Sequence, residues 1–261
     1  MNYGLYLSAS GLQVNMARQD VFANNMANVK TGGFKPDMAM VMGRKPEVEE
    51  KELGFELRHE LLDRLGGGVF KAPHRLDMSE GPMEQTDNPL DVALANPKAF
   101  LNVQATNPQT GQPQLRLTRD GALTLNAEGQ LITQAGGHRV LDDNDQPITV
   151  DREQDVNINE IGAVIQGGET IAQLGVSQVT DDSALRKDAR NLVRIEGGDE
   201  LRQPADDRSM RPGYRESSGV DPIKTLNQLI AATNNVSANG NMIRYHDQMM
   251  EQAVNTLGRV A

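Results

Sequence analysis

The chain has 261 residues, of which 38% are hydrophobic and 3% aromatic, with no Trp. Ordinary globular chains carry roughly 45 to 50% apolar residues, so the core is expected to be small: one modest globular domain with elongated parts, or two small domains. A net charge of -10 repels a phosphate backbone and argues against nucleic acid as a partner, and the absence of Cys excludes disulfide scaffolds, thiol catalysis and thiolate metal sites.

At the N-terminus, Met1 to Ser8 shows no basic region followed by an apolar run, so no cleaved secretory signal is expected. No stretch reaches the about 20 apolar residues of a membrane span, so no membrane insertion is expected either. Leu5, Ala9, Leu12, Met16, Gln19, Ala23 and Met26 recur at alternating steps of four and three, the narrow stripe of a helix with a weak coiled-coil seam. Asn24, Asn25 and Asn28, followed by Gly32, Gly33 and Phe34, predict its end and a chain reversal. Asn side chains bond locally to the backbone, Gly takes positive φ, and Phe34 would anchor the returning chain in the next domain.

From Pro46 to Leu65 an acidic run leads into Leu57, Leu61, Leu62 and Leu65, spaced for a short amphipathic helix that Gly66, Gly67 and Gly68 end; it reads as a solvated face with no assigned partner. Between Gly81 and about Ile195 the pattern shortens to alternating segments: 90–94, 115–118, 122–125, 130–133, 156–158, 163–165 and 174–179. Turns rich in Gly, Asn and Asp separate them, such as Asn126-Ala127-Glu128-Gly129 and Asp142-Asp143-Asn144-Asp145, and together they predict an all-β domain of hairpins.

A polar loop ends near Gly213, and a second long helix is predicted from Asp221-Pro222, with Asp as cap and Pro in the first turn. Leu229, Val236, Ile243, Met250 and Leu257 recur at every seventh position, and Ala232, Asn239, His246, Ala253 and Val260 fill the paired slot. The expected fold is therefore mostly β with long terminal α-helices, the termini pairing in a coiled-coil-like layer. The expected domains are an assembly helix and Asn/Gly turn over 1–35, a variable connector over 36–80, a β-rich outer domain over 81–213 and a C-terminal assembly helix over 214–261.

Catalytic and metal motifs are missing: the four His have no metal-ligand spacing, and no GxSxG, P-loop or strand-linked GxGxxG occurs. The turn at Asp142 lacks the Gly and distal Glu of a calcium loop and reads as a hairpin tip. Carboxylate pairs such as Asp87 with Asp91, or Asp181 with Asp182, read as solubilising surface. No enzymatic activity, cofactor or metal is expected.

Four blocks carry a resemblance. They are Ser10-Gly11-Leu12 through Asn24-Asn25-Met26-Ala27-Asn28 to Gly33-Phe34-Lys35, then Thr86-Asp87-Asn88-Pro89-Leu90-Asp91-Val92-Ala93-Leu94, then Thr118-Arg119-Asp120-Gly121, and Glu128-Gly129-Gln130-Leu131. In this order they are similar to the signature of bacterial flagellar axial proteins of the rod and hook family, specifically basal-body rod proteins. The resemblance implies a structural subunit of the rod, its terminal helices forming the inner layer of a tube and its β domain packed outside, so that it carries torque and encloses the export channel. It implies as partners further copies of the chain, other rod and hook subunits and the flagellar type III export apparatus, and a place in the basal body reached without a cleaved signal. Two stretches depart from the family pattern: 96–103 replaces a Gly-rich run, and Asn234-Asn235-Val236 stands where an R-x-Y is usual. The expected assembly residues are Leu12, Met16, Asn24, Asn25, Asn28, Gly33, Phe34, Leu229, Val236, Ile243, Met250 and Leu257. Two other readings are weighed against this one. The first is a soluble or surface β-domain binding protein, an adhesin or assembly cap, whose helical arms merely dimerise. The second is a peptidoglycan hydrolase, for which no catalytic motif is present.

Overall fold

The computed structural model describes residues 3–45, 67–73, 75–107, 110–188 and 190–257. The amphipathic helix expected around Leu57 to Leu65 lies outside the described residues. The chain divides into two compact units: unit 1 comprises Met1–Met26, Met38–His74 and Pro222–Ala261, and unit 2 comprises Ala27–Asp37 and Arg75–Asp221.

Unit 1 is built on the two long helices. Helix α1 runs Tyr3–Ala27 and stops at the Asn-rich segment. It buries Ser8, Val14, Val21 and Asn25, and Val14, Ala17, Arg18 and Val21 line a crevice with Met38–Met40, Lys71 and Ala72. The strands Val41–Gly43 and Val69–Lys71 pair antiparallel, with Met42 opposite Phe70. Helix α2 runs Pro222–Leu257, beginning at the proline whose fixed φ suits a first turn. Thr225 and Ala232 are its buried positions, and Leu229, Val236, Asn239, Ile243 and His246 are half-buried while their neighbours on the other faces are exposed. The heptad stripe is thus the covered side of α2 over its first two-thirds; Met250 and Ala253 are exposed.

Unit 2 is the β domain. A nine-stranded antiparallel sheet runs in the order 185–188, 192–195, 113–118, 99–106, 139–140, 131–133, 123–125. Strand 176–179 also pairs with 99–106, and 202–204 pairs with 176–179. A three-stranded meander covers 156–158, 163–166 and 169–173. Each segment read as alternating carries a strand, and Gly129 turns the chain at φ 74, accepting the left-handed conformation that Gly tolerates without a Cβ clash.

The strand that organises the sheet, Ala99–Thr106, escapes that reading. Ala99, Leu101, Val103 and Ala105 point into the larger core cluster, while Phe100 joins Leu76, Leu117, Val179, Leu185 and Val193 in a second one. A strand buried on both faces loses the apolar–polar alternation by which strands are recognised. What reads as a family departure at 96–103 is the centre of the domain.

The candidate assembly surface and its anchor

The reversal after α1 is seated on unit 2 by backbone bonds at almost every residue. Asn28 O accepts from Thr31 N at 3.1 Å and Thr31 O from Phe34 N at 3.3 Å, closing two successive turns. Gly33 sits at φ 63, and a Cβ there would run into the Arg119 carbonyl. Both the backbone angle and the contact demand Gly. Gly32 O accepts from Asn191 Nδ2 at 2.7 Å, Phe34 O from Gly219 N at 2.9 Å, and Pro36 O from Asp77 N at 2.8 Å. Phe34 is 4% exposed, with Lys187 Nζ 3.7 Å from its ring centroid. Lys187 also pairs with Asp37 at 2.8 Å. Burial draws the Lys187 ammonium down and Asp37 resists, so the cation is shared between carboxylate and ring.

Beside Phe34 lies a buried ionic node. Glu216 Oε1 accepts from Lys35 Nζ at 2.7 Å and from Gly81 N at 2.9 Å, and Oε2 accepts from Arg119 Nε at 2.7 Å. All three side chains are at most 3% exposed. Arg119 Nη1 donates to the carbonyls of Asn96, Pro97 and Ala99, so it grips the turn that leads into the central strand. Burial lowers the Lys35 pKa and the Arg119 charge lowers it further, against the pull of Glu216. For Glu216 burial works upward, but Arg119, Lys35 and the Gly81 N–H outweigh it and hold the carboxyl below its usual range. Neighbouring Asp120 is raised by burial; its Oδ1 accepts the Ala122 N–H at 3.1 Å.

The remaining blocks feed the same region. In 86–94, Asn88 Oδ1 accepts from Leu90 N, and its Nδ2 donates to Asp91 and to the Leu123 carbonyl. Asp91 is therefore a buried, bonded group and not the solubilising carboxylate expected; its local partner three residues earlier is what the pattern concealed. Asp181, by contrast, is exposed; it accepts from Ser183 and caps a short 3-10 turn. Gly121 lies against the Val92 carbonyl, where a Cβ cannot fit. At the Asp142 tip, Asp143 and Asp145 pair with Arg208 and Arg202, and among the described residues no cluster of His, Asp and Glu is arranged to hold a metal ion.

On the helices, the structure separates what periodicity had joined. On α1, Leu12 is half-buried and Met16 is 51% exposed, with Ala9 and Ala23 also exposed. Leu5, Gln19 and Met26 are half-buried like Leu12, so the α1 seam is only partly covered, and the more deeply buried face is the one of Val14 and Val21 that lies against 38–40 and 71–72. Asn24 is exposed, Asn25 buried and Asn28 half-buried. The helices approach where a Cβ on Gly11 would lie 3.2 Å from Asn239 Oδ1. Leu229, Val236 and Ile243 are half-buried and Met250 is exposed; the side chain of Leu257 lies outside the described residues.

Periodicity also missed a second apolar line on α2. Ile223, Leu226, Ile230, Tyr245 and Met249 lie roughly opposite the heptad stripe and are exposed. Val69 and Phe70 open a further groove with Tyr6, Ala9 and Leu12, where Arg44 Nη1 donates to Tyr6 Oη at 2.9 Å. All but Ile161 and Ile171 of the exposed large apolar side chains among the described residues belong to unit 1. Its buried apolar side chains there are Val14, Val21, Ala72 and Ala232.

A well-packed β domain, flanked in sequence by two terminal helices that each keep large apolar side chains exposed, defines a structural protein of the kind that is completed by neighbours. Comparison with known proteins gives the particular family. Residues 5–35 match the family described as flagella basal body rod protein, and residues 211–256 match the flagellar basal body rod FlgEFG protein C-terminal family. The chain is 31% identical over the whole of both sequences to the flagellar basal-body rod protein FlgF of Caulobacter vibrioides. It is 27% identical to the flagellar hook-basal body complex protein FlhO of Bacillus subtilis, covering 98% of this chain and 99% of that one. To the flagellar basal-body rod protein FlgG of Buchnera aphidicola it is 28% identical, covering 95% and 97%. The chain belongs to the flagellar basal-body rod protein family, and it is a structural component of the flagellar basal body.

Proposed function

We propose that this rod subunit polymerises through its terminal helices, with Leu12 and Met16 on α1 and Leu229, Val236, Ile243, Met250 and Leu257 on α2 supplying the seams. The observation that carries this reading is the contrast within unit 1, which buries four small or medium apolar side chains among its described residues and leaves Met16 and Met250 of the seams open. Long helices gain most of their stability from packing, so such a unit calls for neighbours. Its partners are further copies of the chain and other rod and hook subunits. It reaches the rod through the type III export apparatus without a cleaved signal, carries torque and helps enclose the channel. It has no catalytic role, a reading supported by Lys35 and Arg119 both being paired with Glu216 in the interior.

Sedimentation of the purified chain separates this from a binding protein with dimerising arms. A monomer at low concentration that gives way to filaments at high concentration is the expected result; a discrete dimer that grows no further would overturn it.

A further inference from the structure

We propose that the Glu216 carboxylate is a latch that ties together the three stretches of unit 2 by which the chain enters and leaves it. The chain passes between units after residues 26, 37, 74 and 221. All four passages flank stretches that meet at Glu216. From the first stretch, Lys35 Nζ binds Oε1, and Gly33 N donates to the Glu216 backbone carbonyl at 2.8 Å. From the second, the Gly81 N–H binds Oε1, and Ser79 O accepts the same Lys35 ammonium at 2.7 Å. Glu216 itself belongs to the third, which is laid against the other two by Ser217 N to Pro82 O at 2.8 Å and Gly219 N to Phe34 O at 2.9 Å. Arg119 moors the other carboxylate oxygen to the sheet.

Glu216 supplies the anion facing two buried cations. Replacing it with a neutral amide leaves Lys35 and Arg119 unpaired in a dry site. Arg119 still has the carbonyls of Asn96, Pro97 and Ala99 and stays. Lys35 keeps the Ser79 carbonyl and at most one bond to the new amide oxygen, neither of which offsets its charge as the carboxylate does, so 33–35 and 79–81 lose the tie between them and open more readily. The apolar clusters on the two faces of the sheet do not include these stretches beyond Leu76 and Met78, so the sheet does not follow.

Amide hydrogen exchange on the full chain tests this. In Glu216→Gln, exchange at Gly33, Gly81, Ser217 and Gly219 should accelerate on the order of tenfold or more, while Asn102 and Leu131 in the sheet and Ile148 bonded to it keep their rates. Acceleration spread evenly over both sets would make Glu216 an ordinary core group, and unchanged rates at the four latch amides would remove the latch; either result overturns the proposal. Should Glu216→Gln fail to fold, Lys35→Met decides the matter, since it removes one cation and keeps the Glu216–Arg119 pair. The same selective acceleration at Gly33 and Gly81 is expected there, and even or absent acceleration overturns it.

Discussion

Gly33 and Phe34 show how much one residue can carry when the backbone around it is fixed from several sides. A helix stop would tolerate Ala at Gly33 for up to about 1 kcal/mol. Here φ is 63 and the added methyl meets the Arg119 carbonyl, so Gly33→Ala is expected to cost about 2 kcal/mol or more in denaturant unfolding of unit 2. Phe34→Ala is expected to cost about 3 to 5 kcal/mol and to speed protease cleavage at Lys30; an unchanged rate would refute the anchoring role. Acid should act through Glu216. Its folded pKa lies below the ordinary 4.5, so the unfolded chain takes up the proton first. Stability from this group is present above about 4.5 and falls as pH drops through the folded value; Glu216→Gln should flatten that part of a stability-versus-pH curve. Gly33 and Phe34 were legible from the Asn and Gly run before them. Glu216 was not, because its partners Lys35 and Arg119 are 181 and 97 residues away and no local pattern marks it.

At the scale of elements, α2 was readable because seven-residue spacing survives whatever covers the helix, and its half-buried positions from Leu229 to His246 follow that spacing. The stripe on α1 was a weaker guide, since the segments Met38–Met40 and Lys71–Ala72, which line the crevice against Val14 and Val21, are too short to announce themselves. That leaves the Met16 side of α1 open for another helix. A disulfide between Met16→Cys and Ile243→Cys is expected in assembled material, and its absence at this and neighbouring pairs would sink the helix pairing. Ile243→Asp should abolish assembly, because a carboxylate in the seam must be desolvated at a cost of several kcal/mol, roughly. Circular dichroism should still report the β domain melting as in the parent, since Ile243 lies in unit 1 and the two core clusters lie in unit 2.

Across the whole molecule, stability is unevenly shared. Unit 2 holds both apolar clusters, the anchor and the ionic node, and unit 1 holds four buried apolar side chains among its described residues. A fragment spanning 28–221 is therefore expected to unfold in one cooperative transition close to that of the full chain, followed by calorimetry; a fragment that fails to fold would show that the helices supply what the clusters were thought to supply. The same node also sets an order of events in time. Lys35 and Glu216 are 181 residues apart, and closing a loop of that length costs about 4 to 5 kcal/mol of chain entropy. That cost is reduced only after the intervening sheet has formed and drawn the ends together. In a chain that emerges N-terminus first, the anchor segment at 28–37 is among the first parts to appear and among the last to be fixed, so folding of this subunit finishes where its sequence begins.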